Sequence, residues 1–224
     1  MSLWSDAKNM AQNDPAAQNV LEVILLYAGF HALVWHKPAH FFYRHRCFFL
    51  ARLFSQLGRF FTGIEIHPGA TLGRNLFIDH GMGIVIGETA VVGDNCTIYH
   101  GVTLGGTGKD TGKRHPTIGN NVLIGAGAKI LGPFTIGDNC QIGANSVVLR
   151  AIPSDTTVTG IPGRAVKQKG GRMPSCDLDQ VHLPDPVLQE FLRLNDAITK
   201  LQLRCGEVEK AVSDQKNVDS GSTL

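Results

Sequence analysis

A period of six residues dominates the middle of this 224-residue chain. Ile66, Leu72 and Ile78 stand six apart. After a step of eight, Ile86, Val92, Ile98 and Leu104 continue at six. After a step of fourteen, Ile118, Ile124, Ile130, Ile136, Ile142 and Val148 resume. A glycine follows the aliphatic anchor in most units, as in Ile86-Gly87, Ile118-Gly119 and Ile124-Gly125. Neither the 3.6 period of a helix nor simple alternation explains this spacing. A parallel β-helix does, because each short strand buries one aliphatic side chain on the axis. Glycine, Asp and Asn accept the turns between strands, which larger residues resist. Three hexads close a triangular coil of about eighteen residues, so thirteen anchors predict about four coils.

Glycine marks the limits of this region. Of 26 glycines, 20 lie between Gly63 and Val166. The predicted fold class is α+β, with an N-terminal helical domain (1–62), the parallel β-helix (63–166) and a C-terminal segment (167–224). In the first part Asp14-Pro15 reads as an N-cap followed by proline at the first helical position. Val20, Val23, Ile24 and Tyr27 follow at helical spacing, with Gly29 as a stop. Pro38 reads as the start of another helix, running through Phe48–Phe61 toward Gly63. In the last part Val187, Phe191, Leu194, Ile198, Leu201, Cys205, Val208 and Val212 alternate by four and three. That is a heptad helix over 187–212, either packed on the β-helix or paired in a coiled coil between protomers. The tail Gln215–Leu224 reads as disordered.

Composition removes several function classes. A net charge of +2 and 7% aromatic residues argue against nucleic-acid binding. Five scattered cysteines without a C-x-x-C pair, and no signal peptide at the start, predict reduced thiols in the cytoplasm. The apolar run Val20–Trp35 is short and interrupted by Glu22 and His31, so no membrane span is expected.

The two breaks in the period are where chemistry is expected. The first holds Asp79-His80-Gly81-Met82-Gly83. The second runs from Gly105 to Pro116 and ends in Arg114-His115. Transfer of an acyl group from a thioester to a hydroxyl needs a base, a carboxylate that orients it, and donors for the oxyanion. His80 is the best base. Glu65, fifteen residues earlier, is close to one eighteen-residue coil back and is expected beneath it. Arg114 can grip a carboxylate in a two-bonded fork, and His115 can add a second donor or act catalytically by polarising the transition state. Taken alone, Asp14 is a helix cap and Asp79 a turn residue.

The hexad pattern is similar to that of the hexapeptide-repeat acyltransferases, which implies a left-handed β-helix. The ungapped stretches Glu65–Ala70, Asp79–Ala90, Gly101–Lys109 and Arg114–Pro116, with Asp14-Pro15-Ala16 and Gly29–Leu33, resemble serine O-acetyltransferases. The resemblance runs from about Asp14 to Arg164. It implies acetyl transfer from acetyl-coenzyme A, as co-substrate without a tightly bound cofactor, to the hydroxyl of L-serine in cysteine biosynthesis. Under it His80 is the general base and Glu65 its partner, where the best-known bacterial members carry aspartate. Arg114 and His115 bind the serine carboxylate, and Asp14 and Asp79 its ammonium. The site lies between protomers of a homotrimer, which often pairs into a hexamer. Coenzyme A is expected along Gly125-Ala126-Gly127-Ala128, with Lys129, Arg164 and Lys167 toward its phosphates. L-cysteine is a possible feedback inhibitor, and O-acetylserine sulfhydrylase a possible partner of the tail ending at Leu224. The alternatives are a sugar or other small-alcohol acceptor, a zinc carbonic anhydrase using His80, His100 and His115, and a non-catalytic scaffold. The resemblance itself implies no metal.

Overall fold

A computed structural model describes residues 3–108, 111–168 and 186–221, with backbone only for 167–168, 186–189 and 209–221. Residues 3–168 belong to one compact unit and 186–221 to another.

The hexads form a parallel β-helix with three faces. Sheet A stacks β1 (Glu65–Ile66), β4 (Val85–Ile86), β7 (Thr103–Gly105), β10 (Lys129–Leu131) and β13 (Val147–Val148). Sheet B stacks β2 (Thr71–Leu72), β5 (Val91–Val92), β8 (Thr117–Ile118) and β11 (Thr135–Ile136). Sheet C stacks β3 (Phe77–Asp79), β6 (Thr97–Tyr99), β9 (Leu123–Ile124), β12 (Gln141–Ile142) and β14 (Thr156–Thr159), with β15 (Arg164–Gln168) antiparallel at its end. Twelve of the thirteen predicted anchors are buried, and Leu72 is half-buried. The coil count is five, not four. Ile152, bridged to Ile136, and Val158 complete a last coil that follows Val148 at a step of four, outside the hexad count.

Register also corrects the coil length. Glu65 pairs with Val85 and Phe77 with Thr97, so the first coil takes twenty residues. Val91 pairs with Thr117 and Thr97 with Leu123, so the coil with the long insertion takes twenty-six. Only the coils without an insertion keep eighteen, as in Val85 with Thr103 and Thr117 with Thr135.

The corner from sheet B to sheet C is purely structural. Asn75, Asn95, Asn121, Asn139 and Asp155 stack there, all with φ of 56–60°. Their side chains hydrogen-bond from coil to coil. Asn and Asp are the non-glycine residues that best tolerate this left-handed conformation.

Four helices precede the β-helix and share its core. They are α1 (Leu3–Asn13), α2 (Val20–Leu26), α3 (Ala28–Arg44) and α4 (Phe48–Thr62). α4 ends at Gly63, φ 70°, which coincides with the predicted composition boundary. Three helix signals are corrected. Asp14 follows α1 rather than capping a helix, and Asn19 is the N-cap, accepting from the Glu22 N–H at 2.9 Å. Gly29 lies inside α3, where a Cβ would sit 2.3 Å from the Ile78 carbonyl oxygen, so glycine there permits close helix–strand contact. Pro38 is also interior to α3. The apolar run Val20–Trp35 breaks at Tyr27 into two helices bent by 65°. Among the described residues no single helix is long and apolar enough to cross a membrane.

In the second unit α5 (Pro186–Gly221) contains the whole heptad segment. It also carries residues 215–221, which the sequence reads as disordered. Leu224 and the expected sulfhydrylase contact lie outside the described residues.

Candidate active site

The two insertions occupy two corners of the β-helix, at opposite ends of β4. Asp79, His80 and the turn Gly81–Gly83 form the corner from sheet C to sheet A. His80 is 77% exposed at its side chain and has φ 57°. Its Nε2 lies 3.7 Å from Asp79 Oδ1, too long for a hydrogen bond but close enough for electrostatic support of an imidazolium. His100 lies one twenty-residue coil on, its ring centroid 6.0 Å from that of His80.

Asp14 reaches the same corner from the helices. Its Oδ2 accepts the Tyr27 hydroxyl at 2.6 Å and its Oδ1 accepts the Ala16 N–H at 2.8 Å. Burial pushes the Asp79 carboxyl up; His80 opposes this, and the Asp14 charge adds to it. Burial, then the hydrogen bond to Asp14, pushes the Tyr27 phenol to about 12. A carboxyl whose proton affinity is raised by burial and by a second carboxylate nearby is a natural seat for a cation.

Glu65 does not join this cluster. Its register partner is Val85, and its carboxylate pairs with Arg59 of α4 at 3.1 Å. The expectation that Glu65 lies beneath His80 assumed an eighteen-residue coil. The extra two residues of the bulge shift the register away from it.

The second insertion lies at the corner from sheet A to sheet B. The His115 ring covers Gly87, where a Cβ would sit 1.9 Å from its Cδ2. His115 Nδ1 faces the Thr89 N–H at 3.2 Å and the Thr89 hydroxyl at 2.9 Å. A backbone N–H can only donate, so Nδ1 is the acceptor and the ring proton sits on Nε2. Burial and then the Arg114 charge push the His115 pKa down, which keeps this tautomer neutral. His115 is therefore a fixed donor rather than a base. Thr89 Oγ1 also accepts from the Arg114 and His115 backbone N–H groups.

Arg114 is anchored by Glu88. Its Nη2 donates to Glu88 Oε2 at 2.7 Å, and the Tyr43 hydroxyl donates to Glu88 Oε1 at 2.9 Å. The Tyr43 hydrogen bond, together with the Arg114 and His67 charges, holds the Glu88 carboxyl below its usual range. Behind Arg114, Lys113 Nζ donates to the Thr89 carbonyl at 2.7 Å. Tyr27, Tyr43, Glu88 and Thr89 are members of these clusters to which the sequence alone assigned no role, and His100 entered only as a zinc-ligand alternative.

The residues expected along coenzyme A follow His80 down one corner. Register places His80, His100, Ala126 and Ala144 in one column, with small side chains below the two histidines. Gly83, Gly101 and Gly127, all with positive φ, stack beside them. Gly125 lies against Ala144, where a Cβ would come within 2.7 Å of backbone, and Ala128 is fully buried. Lys129 Nζ donates to the Gly101 carbonyl, so its charge is already engaged. Arg164 is exposed on β15, and the side chain of Lys167 lies outside the described residues. His80 and His100 share one corner while His115 lies at another, so the three proposed zinc ligands do not converge within the chain. No group of three His, Cys, Asp or Glu among the described residues is arranged to hold a metal ion.

A histidine beside two carboxylates and a donor-rich arginine corner on a hexad solenoid match the layout of a hexapeptide-repeat acyltransferase. The family model for bacterial transferase hexapeptide, six repeats, matches residues 115–150. The serine acetyltransferase of Staphylococcus epidermidis is 57% identical over 204 residues, 91% of this chain and 94% of that protein. A serine acetyltransferase solved in complex with cysteine has a TM-score of 0.77 at 38% identity, covering 80% of this chain and 70% of that one. The Neisseria gonorrhoeae enzyme in complex with serine has a TM-score of 0.71 at 43% identity, covering 74% and 67%. The Brucella abortus enzyme in complex with coenzyme A has a TM-score of 0.73 at 45% identity, covering 75% and 67%. This chain belongs to the serine acetyltransferase family, and its solenoid is the left-handed parallel β-helix of that class.

Proposed function

We propose that this chain transfers acetyl from acetyl-coenzyme A to the hydroxyl of L-serine, giving O-acetyl-L-serine and coenzyme A. The observation that carries this reading is the pairing of an acidic corner, Asp14 with Asp79, and a cationic corner, Arg114 with the His115 donor. A zwitterionic amino acid needs both, whereas a sugar needs neither.

The two corners lie at opposite ends of β4, and the charges that act on Asp79 are not those that act on His115, so the corners stand apart within one chain and one small molecule is better gripped between copies. The site is therefore completed between copies. The acidic corner of one protomer meets the arginine corner of its neighbour in a cyclic trimer, which is free to pair into a hexamer. Asp14 and Asp79 take the ammonium. The partner copy's equivalents of Arg114 and His115 take the carboxylate. His80 then removes the hydroxyl proton as the oxygen attacks the thioester carbonyl. The tetrahedral intermediate collapses, the C–S bond breaks, and the imidazolium returns its proton to the coenzyme A sulfur. Asp79 supports that imidazolium, while Glu65 is engaged by Arg59.

Acetyl-coenzyme A acts as a co-substrate in this reading. Its pantetheine arm runs along the Ala126–Gly127 column, with Arg164 and Lys167 toward the phosphates. L-cysteine carries the same ammonium and carboxylate as serine and competes for the same groups. The free thiols of Cys47, Cys96, Cys140 and Cys205 suit the reducing cytoplasm. The test is thiol release from acetyl-coenzyme A with L-serine or simple sugars as acceptors. Serine-dependent release is expected. Release with a sugar and none with serine would overturn the substrate assignment.

A further inference from the structure

The acyl-transfer reading does not use the apolar seam of α5, and the spacing of that seam is specific. Phe191, Leu194, Ile198, Leu201 and Val208 are 52–66% exposed, and Cys205 between them is exposed too. All lie at a or d positions of one heptad frame. A helix that packs on a globular surface carries a stripe widened by apolar e or g positions. Among the described side chains the e positions are Asn195 and Gln202, and the g positions Glu190, Ala197 and Arg204. The seam is therefore narrow. A straight helix drifts about 20° per heptad from a strict seven-residue repeat, so only a supercoiling helix of equal period keeps such a seam covered. Outside the a and d positions the helix carries ion pairs, Arg193–Glu190 at 3.8 Å and Lys200–Asp196 at 2.8 Å, beside two isolated exposed leucines, Leu192 and Leu203.

We propose that α5 forms a parallel, in-register coiled coil between copies of this chain. A second copy presents the same seam at the same period. In the heptad frame Arg204 is a g residue and the following e residue is a glutamate, opposite charges at the two sequence positions that a parallel coil pairs. Cyclic assembly also brings the same end of every chain together, which sets the helices parallel.

Cys205 sits at a core a position, so native side chains report the contact. In the full-length protein with Cys47 and Cys176 replaced by Ser, mild oxidation should link Cys205 to its counterpart within minutes. The initial rate should not change on dilution. A Leu203→Cys, Cys205→Ser variant places the thiol on the outer face and should link at least tenfold more slowly. Replacing Leu194 and Leu201 with Asn should abolish the fast linkage while serine acetylation continues. Equal rates at 203 and 205, or linkage that survives the Asn pair, would show tethered tails colliding at random and would overturn the coil.

Discussion

Replacing His80 with Asn is expected to cut serine-dependent thiol release by about two to four orders of magnitude without unfolding the protein. The two halves of that expectation rest on different observations. His80 sits at φ 57° in an exposed turn. Asn adopts that conformation more readily than other non-glycine residues, as it does down the neighbouring corner, so the turn survives. The loss comes from chemistry alone. A serine hydroxyl is a poor nucleophile until its proton moves to a base as the bond forms. His80 is the imidazole held between Asp79, which supports its charged form, and the open corner that leads to the Ala126 column. Circular dichroism melts of the two proteins should coincide, and binding of coenzyme A should persist. A variant that retains a tenth or more of native turnover would remove His80 as the base.

Gly87→Ala is expected to lower kcat/KM for serine by about a hundredfold while touching neither reactant directly. The added Cβ would fall 1.9 Å from His115 Cδ2 and 2.1 Å from Nε2, so the ring must leave its place. Moving it breaks both contacts from Thr89 to Nδ1, and with them the fixed tautomer that aims Nε2–H outward. The backbone at Gly87 donates to Leu104 in the regular ladder, and its φ is not in the left-handed region, so alanine strains nothing else there. An ångström-scale displacement of a positioning donor costs about two orders of magnitude. The KM for serine should rise more than the KM for acetyl-coenzyme A. Equal changes in both, or none, would mean that His115 does not hold the amino acid.

The coiled architecture was legible from Ile66 to Val148, because a buried aliphatic residue every six positions leaves no other economical fold. The last coil was not legible. Its anchors Ile152 and Val158 are six apart but follow Val148 at a step of four, which breaks the hexad phase. The contacts within the site were hidden by a single arithmetic assumption. An insertion lengthens its coil, so vertical neighbours are separated by twenty or twenty-six residues rather than eighteen. Adding twenty to His80 gives His100, and adding twenty-six to Glu88 and Thr89 gives Arg114 and His115, all observed contacts. The same correction moves Glu65 from His80 to Val85. Asp14 was misread for another reason. Asp-Pro before an apolar run has the local look of a helix start, and only tertiary contact reveals its bond to Tyr27.

The central claim is that each site takes His80 from one copy and Arg114-His115 from the next. Co-expression of His80→Asn and His115→Asn chains, each inactive alone, tests it directly. In a random cyclic mixture about a quarter of the junctions regain both native histidines. Thiol release with L-serine should therefore return to about a quarter of the native rate. A mixture as inactive as its two components would contradict a site shared between copies.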